Sequence, residues 1–70
     1  MRDHAAKLAM LERAELRLDV ALGALAVAGT ERRRLMYMGR VVRAAGRFVA
    51  ARQEIVESMT RLAAGYGRDA

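Results

Sequence analysis

Carboxylates and guanidiniums are the side chains here with the means to do chemistry. Glu12 and Glu15, and again Glu54 and Glu57, stand three residues apart, which on a helix puts each pair on one face. A carboxylate pair on each of two helices is half of the ligand set of a di-iron bundle. Such sites take Glu-x-x-His from the other two helices, and the lone histidine, His4, is not placed to supply it. Without cysteine there is neither a disulfide nor a plausible zinc cage. No metal, cofactor or catalytic residue is therefore expected. Ordinary ion pairs one helical turn apart, such as Glu57 with Arg61, account for the acids more simply.

The arginines form a second candidate. Arg33, Arg40, Arg43 and Arg47 fall within one sector of the second half of the chain when it is wound as a helix, and Arg32 adds charge at the same end. Such a row can track phosphates, with binding that weakens as salt rises. Glu54 and Glu57 continue the sector with opposite sign, which shortens the patch. Tyr37 is the only aromatic near it, so the interleaved aromatics of a single-strand binder are missing.

Arg52 differs from these. It lies near the middle of an apolar helical face, between Phe48/Val49 and Ile55/Val56. A charge in an apolar stripe needs a partner or an exit route for its head group. Counting back from the break in the chain puts Arg52 level with about Lys7, and Glu15 lies about two turns further on. A bridge within one chain is thus disfavoured. Asp3, Glu12, or Glu15 of a second copy fit better, and Arg52 with Glu15 reads as a register-setting charge pair between subunits.

Two long helices must position these groups. Helical patterning is interrupted only at Ala28-Gly29-Thr30. The first helix is expected over about 3–28, where Leu11, Ala14, Leu18, Ala21, Leu25 and Ala28 repeat alternately at three and four residues, a heptad seam. Alternating Leu and Ala suits close packing against an antiparallel neighbour. Gly29 suits a helix C-terminus in the left-handed region. Thr30 suits the next N-cap, and Glu31 suits the positive end of the helix dipole. The second helix is expected over about 31–64. Its apolar positions (Leu35, Met38, Val41, Val42, Ala45, Phe48, Val49, Ile55, Val56, Met59, Leu62 and Ala63) span a face wider than one partner helix needs. Gly65 and Gly67 are expected to end it, leaving a frayed tail over 65–70. Gly23 and Gly39 are each read as letting a neighbouring helix approach closely.

Composition narrows the rest. Seventy residues make one domain, and a hairpin of that size has too little interior to be comfortably stable alone. With disulfide and metal excluded, self-association is the remaining staple, so at least a dimer is expected, built as a four-helix bundle. No stretch is long and apolar enough to span a membrane. No apolar run directly follows Met1-Arg2-Asp3-His4, so no signal peptide is read and a cytoplasmic location is expected. A net charge of +5 permits contact with nucleic acid or an acidic protein surface without requiring either.

A hairpin has no internal use for apolar side chains on both sides of one helix. Leu16, Val20 and Val27 lie opposite the Leu/Ala seam and form a candidate docking stripe, for a second copy or for another protein.

Two windows, Leu22-Gly23-Ala24-Leu25-Ala26-Val27-Ala28-Gly29 and Arg32-Arg33-Arg34-Leu35-Met36-Tyr37-Met38-Gly39, resemble the small TraD-type conjugal-transfer proteins of plasmids. Arg17-Leu18-Asp19-Val20 departs from that family's charged lead-in. The resemblance implies an accessory protein acting near a relaxase and DNA. In plan the chain is also similar to Rop-type hairpins that dimerise into four-helix bundles, a likeness of architecture that carries no function.

The expectation is an all-α antiparallel hairpin that dimerises. Its expected function is that of a small non-enzymatic regulatory or adaptor protein, an inhibitor or anti-activator that docks a larger protein through its helical faces. The alternative is a nucleic-acid-binding accessory protein using the arginine row.

Overall fold

The computed structural model describes residues 2–69, with side-chain surroundings for residues 4–65. Helix α1 (Arg2–Ala26) and helix α2 (Glu31–Asp69) form an antiparallel hairpin measuring 59 × 16 × 13 Å. The expected fold class is therefore observed in the single chain.

The turn is held by three sets of bonds. The Thr30 hydroxyl accepts from the Arg33 amide at 3.2 Å, and the Thr30 carbonyl accepts from the Arg34 amide at 3.0 Å. Thr30 is thus the N-cap of α2, satisfying an amide that the helix leaves without a partner. The Ala28 amide donates to the Leu25 carbonyl at 3.2 Å. Finally, Arg34 reaches back across the turn, its Nε donating to the Ala28 carbonyl at 3.4 Å.

These bonds explain a departure from expectation. Gly29 does not adopt positive φ, and neither does any other described residue. The Ala28 amide serves the Leu25 carbonyl that a left-handed cap would otherwise have to serve, and Arg34 serves the Ala28 carbonyl beyond it. Helix α1 also ends at Ala26, two residues sooner than the heptad suggests. Ala28 nevertheless stays buried and closes the seam from within the turn.

Helix α2 continues through Gly65 and Gly67 to Asp69, where a frayed tail is expected from sequence. Glycine costs about 1 kcal/mol in a helix interior, but unlike proline it removes no amide donor and does not break the ladder. Residue 70 of that tail lies outside the described residues. Because α2 has 39 residues against 25 in α1, roughly 20 Å of it projects beyond the start of α1 at 1.5 Å per residue.

The α1 seam is as expected. Leu11, Ala14, Leu18, Ala21, Leu25 and Ala28 are all buried or half-buried. The mating line on α2 is Tyr37, Val41, Ala44, Phe48, Ala51, Ile55 and Ser58, all buried or half-buried and spaced alternately by four and three. Bulky and small residues alternate along the α1 line and, from Val41 onward, along the α2 line, which lets two helices interdigitate closely. Gly23 and Gly39 take no part in this approach. A Cβ added at either would meet nothing within 4 Å, which corrects the expectation that they admit a close neighbour.

Candidate protein-binding site

Only Ala14, Ala28 and Ile55 among the described apolar residues are buried, and each keeps 7–9 % of its surface exposed. The chain exposes 5963 Å² in all. A compact monomer of 7.7 kDa exposes roughly 4,300 Å². Most of the exposed large apolar side chains lie on two unlike faces of the hairpin.

The first face is a groove of ≈ 720 Å³ between the helices. Alanines from both helices line it, and Met10, Leu16 and Val20 add apolar surface from α1. Arg13 and Arg17 enter from α1, and Arg40, Arg43 and Arg47 from α2. Tyr37 stands near one end and Glu54 near the other. From Met10 to Ala24 the groove runs about 21 Å, and from Tyr37 to Glu54 about 26 Å, at the helical rise. Arg40 lies over the Tyr37 ring, its guanidinium carbon 5.4 Å from the centroid, within the range of a cation–π contact.

The structure divides the expected docking stripe. Leu16 and Val20, 64 % and 66 % exposed, line the groove. Val27 is 82 % exposed but sits in the turn, outside the groove, because α1 ends one residue before it. The arginine row is also divided. Arg40, Arg43 and Arg47 line the groove, while Arg33 lies at the turn, where its amide caps on Thr30. Arg13 and Arg17 are the groove residues that sequence reasoning missed. The signal was there: they stand four apart, on the side of α1 that also carries Met10 and Val20.

The second face lies on the opposite side of the hairpin. Leu35, Met38, Val42, Ala45, Val49, Arg52, Val56 and Met59 repeat alternately at three and four residues. They form a second heptad seam beside the one that faces α1. All of them except the half-buried Ala45 are exposed, Val42 to 70 %. The broad apolar face of α2 is therefore two adjacent seams, with Arg52 in the outer one, not at the centre of a single face. On α1, Leu8, Glu15 and Leu22 recur every seven residues along the edge that borders this face, and all three are exposed. Between them lie the exposed Glu12 and Asp19, so this edge of α1 is acidic, with Glu15 its acid nearest the seam, and Arg52 is the base within the α2 line. Glu15 and Arg52 lie eight to ten residues apart along the hairpin axis, roughly 12–15 Å, too far to pair within one chain.

No three His, Cys, Asp or Glu side chains among the described residues come together as a metal-binding group. No described helix is long and apolar enough to cross a membrane. Comparison with protein-family models, with curated proteins and with solved structures gives no match.

Proposed function

We propose that this chain is a small non-enzymatic adaptor or regulatory protein. It acts as a homodimer, and its groove holds an acidic amphipathic helix of a larger protein. The observation that carries this reading is the division of exposed apolar surface into two faces of different character. One is an apolar seam that holds Arg52 and borders the acids of α1. The other is an apolar trough bordered by Arg13, Arg17, Arg40, Arg43 and Arg47. Helices packed side by side lie ~8–10 Å apart, and a third helix of ~10–12 Å diameter rests naturally in the furrow between them. Its apolar stripe would meet Met10, Leu16 and Val20, and carboxylates on its flanks would meet the arginines in bidentate contacts. A module of this kind suits an inhibitor or anti-activator that covers a helix its target needs elsewhere.

The same arginines support a second reading, a nucleic-acid-binding accessory protein of the sort that the TraD-type resemblance implies. The apolar lining argues against it. Phosphates gain nothing from Leu16 or Val20, and the sole groove aromatic, Tyr37, already has Arg40 on one face. Salt separates the two readings, because phosphate contacts release counterions and apolar docking does not.

The test is fluorescence anisotropy with a labelled amphipathic peptide of about 14 residues, matched to the groove length, carrying Leu at helical spacing and Glu on the flanks. A scrambled peptide of identical composition and a DNA duplex serve as comparisons. The reading stands if the patterned peptide alone binds and L16E with V20E abolishes binding. It falls if the duplex binds with steep salt dependence while both peptides fail.

A further inference from the structure

We propose that a second copy of the chain covers the face opposite the groove in one specific arrangement. The two hairpins lie antiparallel about a two-fold axis perpendicular to their length, with Glu15 of each against Arg52 of the other. The inference rests on the homodimer reading above and adds its register.

Three observations converge on it. The first is area. The chain exposes about 1,600 Å² more than a compact monomer of its mass. Obligate dimers bury on the order of 1,000–2,500 Å² per subunit, so a second copy on this face is of a size to remove much of that excess.

The second is charge. On this side α1 carries only acids, Glu15 nearest the seam with Glu12 and Asp19 further out, and the outer α2 seam carries one base, Arg52. A face that is acidic on one helix and basic on the other is complementary to itself. Under a perpendicular two-fold, each Glu15 meets the partner's Arg52, and symmetry makes the pair twice. With the axis parallel to the hairpins, Glu15 lies level with the partner's Glu15 and Arg52 with the partner's Arg52. Two charges of each sign would then enter the interface without counter-charges.

The third is length. The perpendicular axis that pairs these charges must pass midway between them, at the level of about Leu11 and Phe48 on the 1.5 Å rise. The middle of α2 is Ala50, so that axis crosses the long dimension of the molecule close to its centre. Two copies then overlap over almost their full 59 Å. The projecting part of α2, with the exposed Met59 and Leu62, comes to lie beside the turn end of the partner. A register fixed by charge and a register fixed by maximum overlap coincide, though neither was used to obtain the other.

The geometry makes a particular demand on charge-reversed chains. E15R homodimers would set like charges together twice, and R52E homodimers likewise. Mixing the two variants restores both pairs, one with the original polarity and one reversed, and the double variant E15R/R52E in one chain restores both with reversed polarity. Light scattering and native mass spectrometry on the full chain test this at micromolar concentration. Helicity is followed by circular dichroism, and mixtures are refolded together from urea so that a variant unfolded alone is still informative.

The expected result is a wild-type dimer and at least tenfold weaker association of each single variant. The mixture should form a one-to-one heterodimer, and the double variant should dimerise again. A dimeric wild type whose single variants dimerise equally well, or whose mixture forms no heterodimer, overturns the register and leaves the dimer standing. A monomeric wild type overturns both.

Discussion

The guanidinium of Arg40 lies over the ring of Tyr37, 5.4 Å from its centre, three residues along the same helix. The pair ties one rim charge of the groove to the groove's only aromatic. Arg40 is thereby held where a carboxylate of an incoming helix would find it, with part of its conformational entropy already lost before binding. The contact is worth about 0.5–1 kcal/mol at an exposed site. Tyr37→Leu is expected to weaken the acidic peptide a few-fold in anisotropy while leaving helicity unchanged. If single-stranded DNA bound and lost affinity in this variant while the peptide did not, Tyr37 would be a stacking platform, and the nucleic-acid reading would gain.

Thr30 carries the start of α2 through one hydroxyl bond to the Arg33 amide. Replacing an N-cap threonine by alanine costs ~1 kcal/mol. Thr30→Ala is expected to lower the urea midpoint accordingly, with Thr30→Ser or Thr30→Asp close to wild type. Variants must be compared at one protein concentration, because the stability of a dimer depends on concentration. Equal midpoints for Thr30→Ala and wild type would show that Arg34, through its bond to Ala28, holds the turn without the cap.

Gly29 gives the sharper contrast. A glycine in the left-handed region loses stability when replaced by alanine. Gly29 is not in that region, and an added Cβ meets nothing within 4 Å. Gly29→Ala is therefore expected to be neutral or to stabilise by ~0.4–1 kcal/mol, by restricting the unfolded chain. Gly46→Ala, at an exposed position inside α2 with equally open surroundings, should stabilise by up to ~1 kcal/mol on helix propensity. A melting temperature that falls in Gly29→Ala would restore the left-handed cap read from sequence.

The hairpin was legible because its causes are local. One break at Ala28-Gly29-Thr30, one capping threonine and one heptad of Leu and Ala were enough to place both helices and the α1 seam. The seam on α2 was not legible. Val41 and Val42, or Phe48 and Val49, are adjacent and equally apolar, so hydropathy cannot tell which of each pair faces α1. Ala44 and Ala45 are no more decisive, and only Ala51 against Arg52 separates the two lines, because the alternative would turn a charge toward α1. Arg52 stands out in the sequence as a charge among apolar neighbours, but its place in a second, outward seam follows only from that choice. The groove was hidden for a related reason. Its arginines come from both helices, and a pattern read along one helix at a time finds Arg40, Arg43 and Arg47 without Arg13 and Arg17.

Ala14 belongs to both the seam and the groove, and so it links stability to binding. It is a buried thin layer between Leu11 and Leu18, where a larger side chain is expected to push the helices apart. Overpacking a well-packed site costs roughly 1–3 kcal/mol. Ala14→Leu should therefore lower the urea midpoint. It should also spread the groove and weaken the acidic peptide, although Ala14 carries none of the charge or bulk that would recognise it. Leu16→Ala is the complement. Leu16 is exposed and lines the groove, so its loss should weaken the peptide while the midpoint stays within about 0.5 kcal/mol of wild type. Measured together by chemical denaturation and anisotropy, the two variants separate the roles. If Ala14→Leu lost stability and still bound the peptide at full affinity, the space between the helices would not be the binding site, and the exposed outer side of α1 around Leu16 and Val20 would have to carry it alone.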